Sequence, residues 1–242
     1  CIRDRFFTEY MAYDPLLEPT IFDWLIWPQQ HLLGVTAGAV YDDHLGELNP
    51  LRQILKQYPH DVWLYLLAAQ WSRIGQEEAF VGRTGDLGDE IGSRLLASRL
   101  VHDLMLLCFL MERTYTPYSK WFGTAFMRLT CAPRLMPTFI RILDAREWQS
   151  REDHLCQAYE IVAEMHNALG ITEPLATNVS YFHDRPFRVI GADRFVDALK
   201  EAMTDPAVKA IATNIGSIDQ FSDNTDLRSN PRLHKKLQSL YK

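Results

Sequence analysis

At 242 residues, 47% of them apolar and with 6 Trp, 10 Tyr and 12 Phe, the chain has the means to bury a substantial core and is not disordered. A formal charge of −6 argues against a general nucleic-acid binder, which needs a basic excess or a basic face to neutralise phosphates. Cys1, Cys108, Cys131 and Cys156 form no CxxC pair, so they outline neither a zinc ribbon nor a disulfide framework, and a reducing cytoplasm is the expected compartment.

In chain order the pattern is helical. Ile21 to Leu33 reads as a helix kinked or ended near Pro28, followed by Val35 to Asp43 as a strand or extended segment rich in Gly, Val and Thr. The stretch from Trp24 to Tyr41 is free of Asp, Glu, Lys and Arg, but Pro28, Gly34 and Gly38 interrupt it, so no membrane span is expected. Asn49-Pro50 opens a short helix that stops at Tyr58-Pro59. Val62 to Phe80 and Ile91 to Glu112 are apolar on every side for much of their length, which predicts a central antiparallel pair. Between them Gly82, Gly85, Gly88 and Gly92 suggest a tight connector beside a ligand. Shorter helices are expected at 119–131, 133–145 and 148–169, the last closed by Gly170 in a left-handed cap. Beyond a long connection with a short strand at 188–190, the tail offers helices at 193–203, 206–215 and 231–241. The fold class is therefore mainly all-α, an irregular multi-helix bundle in a single domain over 1–242, with any subdivision near residue 171. A chain opening on Cys1 rather than Met is read as the C-terminal part of a longer protein.

Charges on the two central helices are the first functional signal. Gln70, Arg73 and Glu77 share one face of the first; Glu90 and Arg94, like Arg99 and Asp103, are i, i+4 neighbours on the second. Burying a charge is costly unless it is paired, so these groups either pair with one another or line a cavity. The Gly82–Glu90 connector has no Walker ending, and Asp86, Asp89 and Glu90 would repel a bare phosphate; an acidic first helical turn explains them as well. The aromatic run from Tyr115 to Phe126 fits a hinge packing helix ends, with Lys120 either snorkelling to water or meeting an anion.

Histidine chemistry is thin. The pairs His60-Asp61, His102-Asp103 and His183-Asp184 suit a metal-dependent phosphohydrolase only if further ligands converge, and His166 near a helix end reads as a capping or core contact. Arg228 and His234 have the spacing of a toxin ribonuclease pair, but Ser229-Asn230-Pro231 break the helix such a pair needs.

The runs Trp71–Arg83 and Gly88–Arg94, with Tyr115–Phe126, Met165-His166-Asn167, Asp184-Arg185-Pro186-Phe187 and Gly216–Phe221, resemble the bacterial domain-of-unknown-function family numbered 4037. The likeness runs from about Asp23 onward. It implies a two-part protein whose N-terminal nucleotidyltransferase-like region carries a Gly-Ser turn and paired aspartates; neither precedes the helices here. This chain is then expected to be the helical, substrate-cleft-forming part, inactive alone, with its own N-terminal nucleotidyltransferase-like domain as partner. An unknown small molecule would be the substrate, while Mg2+ and a nucleoside triphosphate would serve the complete protein and no cofactor this part. Glu77 is the candidate catalytic acid; Arg73, Arg83, Asp89, Glu90, Arg94 and Lys120 are candidate substrate-binding residues, and no metal ligand is assigned. The rival expectation is a non-enzymatic ligand-binding or protein-interaction module in which the same charges form a structural ion-pair network.

Overall fold

A computed structural model of the protein describes residues 2–241. Helix α1 (Ile2–Met11) lies ahead of the first expected element, its Phe7 and Met11 fully buried one turn apart. Helix α2 (Ile21–Ile26) starts at a Thr20–Asp23 capping box and ends before Pro28; α3 (Gln29–Thr36) follows at once, so the expected kink is a break. The expected extended segment is not a strand. Val35 and Thr36 finish α3, and Arg52 of α4 (Leu48–Leu55) takes up the open carbonyls, with Nε on Val35 O at 2.9 Å and one terminal nitrogen on Thr36, Ala37 and Gly38.

The central pair is α5 (His60–Glu77) and α7 (Glu90–Met111). The pair runs antiparallel: Trp63 Nε1 donates to Leu110 O at 2.7 Å near one end, while Gln70 meets Asp103 halfway along. The glycine connector between them is itself a helix, α6 (Phe80–Asp86). Its glycines serve protein packing: a Cβ on Gly82 would lie 2.6 Å from the Phe187 ring, and one on Gly85 would lie 2.2 Å from Trp148. Only Gly88, with φ +81°, is conformationally required at the turn into α7.

A single 3-10 turn (Ser119–Trp121) leads to α8 (Phe122–Phe126), shorter than the helix expected there. The chain then forms α9 (Ala132–Asp144) and α10 (Trp148–Ala168), with Gly170 left-handed as expected at φ +62°. A two-residue antiparallel hairpin, β1 (Ser180–Tyr181) and β2 (Arg188–Val189), pairs Ser180 with Val189 and Tyr181 with Arg188. Then come α11 (Asp193–Ala202), packed along α5, and α12 (Pro206–Lys209). Helix α12 stops short of the expected Ile215; Tyr65 OH donates to Thr213 O and accepts from Gly216 N, holding that stretch out of the helix. Short helices α13 (Ile218–Phe221) and α14 (Thr225–Arg228) were not anticipated; α15 (Pro231–Leu237) ends in a 3-10 turn through Tyr241.

The fold is thus helical with one minor hairpin. One apolar cluster draws on residues from Phe7 to Tyr241, on both sides of residue 171. Cys108, Cys131 and Cys156 are free and buried, whereas Cys1 lies outside the described residues. Among the described residues no helix is long and apolar enough to cross a membrane.

Candidate functional site

Charged residues on the α5–α7 seam pair between helices rather than within them. Asp103, almost fully buried, accepts from Arg73 Nε at 3.2 Å and from Gln70 Nε2 at 3.2 Å. Glu77 is ion-paired with Arg99. Gln70 also accepts from Gln220 Nε2 at 3.0 Å, and Gln220 in turn accepts from Ser217 N at 2.9 Å, so a polar chain runs from α7 through α5 to α13. Each acid keeps one buried oxygen without a hydrogen-bond partner, Glu77 Oε2 and Asp103 Oδ2.

The remaining candidates disperse. Asp89 is the N-cap of α7, accepting from Gly92 N at 2.8 Å. Glu90 accepts from Trp148 N and from Arg151, and Arg94 donates to Arg146 O at 2.9 Å, so both hold the start of α10. Arg151, wholly buried, was not singled out from sequence; it donates to Ser93 Oγ at 2.6 Å and to the carbonyls of Ala145 and Arg146. Lys120 lies over the exposed Trp121 ring, 5.3 Å from its centroid, while Tyr115 is buried and donates to Leu55 O. Arg83 sits apart on α6, against the hairpin. His166 is a core contact: buried, it accepts from Trp71 Nε1 at 3.3 Å, and burial lowers its pKa to about 4. Arg228 pairs with Asp219 and His234 is buried on a separate helix, so the two do not form a ribonuclease pair. The three His-Asp pairs stand on α5, on α7 and in the hairpin tip, and among the described residues no three His, Cys, Asp or Glu converge as a metal site.

One candidate, Arg73, reaches a cleft. Along the outer stripe of α5 two cavities meet at Asn214. The first, about 420 Å³, lies between Tyr65 and the α11–α12 region with Lys200 and Lys209; the second, about 360 Å³, is lined by Ser72, Arg73, Gln76 and Gln220. Every charged residue lining either cavity is a cation, and among the described residues no carboxylate lines them. Asp103 holds Arg73 through Nε, and Arg73 lines the second cavity. Lys200, Lys209, Asn214 and Gln220 were missed from sequence, since only the packing of α11 to α13 on α5 brings them to Arg73.

Residues 24–122 match the model of a family described as Domain of unknown function (DUF4037). That segment is similar to DUF4037. It contains the α5–α7 pair and all seven candidate residues, from Arg73 to Lys120. The hairpin and the α11–α13 wall of the cleft lie beyond the DUF4037 match, as do the later motifs of the resemblance. No curated protein and no solved structure matches the chain.

Proposed function

We propose that this chain is the helical, cleft-forming part of a cytoplasmic nucleotidyltransferase-like protein, recognising an anionic small molecule along α5 and performing no chemistry by itself. The observation that carries the reading is the cationic lining of the groove, Arg73, Lys200 and Lys209, in a chain of net charge −6. An elongated anion such as a phosphate chain would lie from Lys209 to Arg73, with Ser72, Gln76 and Asn214 as neutral hydrogen-bonding partners. The groove does not fit a magnesium ion, because it offers no carboxylate. The metal that a nucleoside triphosphate carries would be held by the partnering N-terminal nucleotidyltransferase-like region.

A direct test is calorimetry of this chain, and of the protein carrying both regions, with a nucleoside triphosphate and magnesium. Binding is expected to weaken about tenfold in Arg73→Ala and in Lys209→Ala, a loss of about 1.4 kcal/mol each. Turnover is expected only with both regions present. Unchanged affinity in both variants would refute the groove as the site.

A second reading, the non-enzymatic module, is favoured by the pairing of Glu77 with Arg99 and of Asp103 with Arg73 and Gln70, which closes the seam as a structural network would. Glu77→Gln separates the two. Lost turnover at unchanged melting temperature supports a catalytic Glu77; a lowered melting temperature with turnover kept assigns it to the network.

A further inference from the structure

The tip of the β1–β2 hairpin and helix α6 frame a cavity of about 290 Å³, away from the α5 groove, between Arg83, Asp86 and Leu87 on one side and Phe182, Arg185 and Phe187 on the other. Its floor is fixed by packing. Gly82 and Gly85 present a bare helix face on which Phe187 and Trp148 seat, the two rings edge to face at 6.1 Å, and Phe187 is buried. The tip is closed by Phe182 N donating to Phe187 O at 2.8 Å and Arg185 N donating to Phe182 O at 3.1 Å. Above this floor stand two guanidiniums. Among the described residues neither Arg83 nor Arg185 has an ion pair or a side-chain hydrogen bond, although the chain carries 31 acidic residues; Arg83 rests only on the Phe80 ring, 5.3 Å from its centroid.

We propose that this cavity binds a small aromatic anion: one ring bearing a carboxylate or phosphate at one end and a hydroxyl or amino group at the other. Two guanidiniums line this one cavity, and a planar guanidinium fork matches the oxygen spacing of a carboxylate or phosphate. The Phe182 and Phe187 rings offer stacked or edge-on contact to a planar ring. Asp86 lines the same cavity and accepts a hydrogen bond from the hydroxyl or amino substituent of the ring. The volume stands at the small end of ligand sites, enough for one substituted ring and too little for an extended chain.

Calorimetry with 4-hydroxybenzoate and phenyl phosphate tests this, with cyclohexanecarboxylate and inorganic phosphate as controls for the ring. At least one aromatic probe is expected to bind at millimolar concentration or below, and better than its control. Arg83→Ala and Arg185→Ala are each expected to weaken that binding about tenfold without lowering the melting temperature, since both side chains are exposed and make no hydrogen bond. Phe182→Ala is expected to bring the aromatic probe down to the level of its control. Absence of binding by both aromatic probes, equal binding by the controls, or indifference to both arginine substitutions would overturn the proposal. Arg73→Ala is expected to leave this site untouched, so it stands or falls apart from the α5 groove.

Discussion

Glu77 and Glu78 are adjacent, chemically identical and indistinguishable as letters, yet they do different work. Glu77 points to Arg99, whereas Glu78 gathers the backbone amides of Ile190, Gly191 and Ala192, at 2.6, 3.1 and 3.2 Å, and so ties the entry of α11 to the end of α5. Burial raises the Glu78 carboxyl above the usual glutamate range, and the three amides pull it back. The device recurs: Asp61 accepts from the amides of Thr204 and Asp205, and Glu112 from those of Thr130 and Cys131. Such carboxylates are structural staples, because a buried amide without an acceptor is costly. Glu78→Ala and Glu78→Gln are each expected to cost about 2–4 kcal/mol in urea unfolding, since Gln would set its own N–H groups against amide donors. A loss below about 1 kcal/mol in both would show that Glu78 is no staple. None of this is legible from spacing, because the partners of Glu78 and Asp61 lie more than a hundred positions away and those of Glu112 lie beyond the next helix.

Among the elements, the central pair was readable because α5 and α7 are long and apolar on all sides, a pattern that only a buried helix satisfies. The glycines of α6 misled for an equally physical reason. A bare helix face and a ligand-hugging loop both need Gly, and only the neighbours Phe187 and Trp148 reveal which is present. Gly85→Ala therefore sets two effects against each other. Helix propensity gains about 1 kcal/mol, while the new methyl overlaps Trp148, and overpacking costs about 1–3 kcal/mol. The clash is with Cβ and Cγ near the backbone of Trp148, not with a flexible tip, so net destabilisation is expected by chemical denaturation. A more stable Gly85→Ala protein would mean that α10 shifts freely. Helix α12 is shorter than its expected range and the short helices α13 and α14 escaped, because four residues contain barely one period, and tertiary partners rather than pattern hold them.

Over the whole molecule, three buried histidines make stability depend on pH. His31 is lowered to about 4 by burial, with His234 and Arg228 adding repulsion; His166 is lowered to about 4 by burial, and His234 is lowered by burial as well. Each is neutral in the fold and free to take a proton near pH 6.5 when unfolded. The unfolded chain therefore binds more protons below pH 6.5, so stability is full above about pH 6.5 and falls as pH drops toward 4, by up to about 1.4 kcal/mol per pH unit for each of His31 and His166, with His234 acting in the same direction. Melting temperatures between pH 7.5 and 5 should fall, and His31→Gln should flatten the slope. A constant or rising melting temperature would contradict this assignment. His31 and His234 also place the effect, their rings 5.9 Å apart where α3 meets α15, so acid should first loosen the contact between the two ends of the chain.

Periodicity, capping residues and proline placement are local properties, and by themselves they determined the helical class, the central pair, the α9 and α10 helices and the Gly170 cap. They also marked Gln70, Arg73, Glu77 and Asp103 as charges or polar groups in a place that demands partners. Only the tertiary structure decided which partners those are, that α6 is a helix, that Arg151 is interior, and that Lys200, Lys209 and Gln220 stand beside Arg73. The reason is that a charge carries no record of its partner in its own neighbourhood. Coulomb attraction and hydrogen bonding act across space between residues that the packing of apolar faces brings together, and that packing is a property of the whole chain.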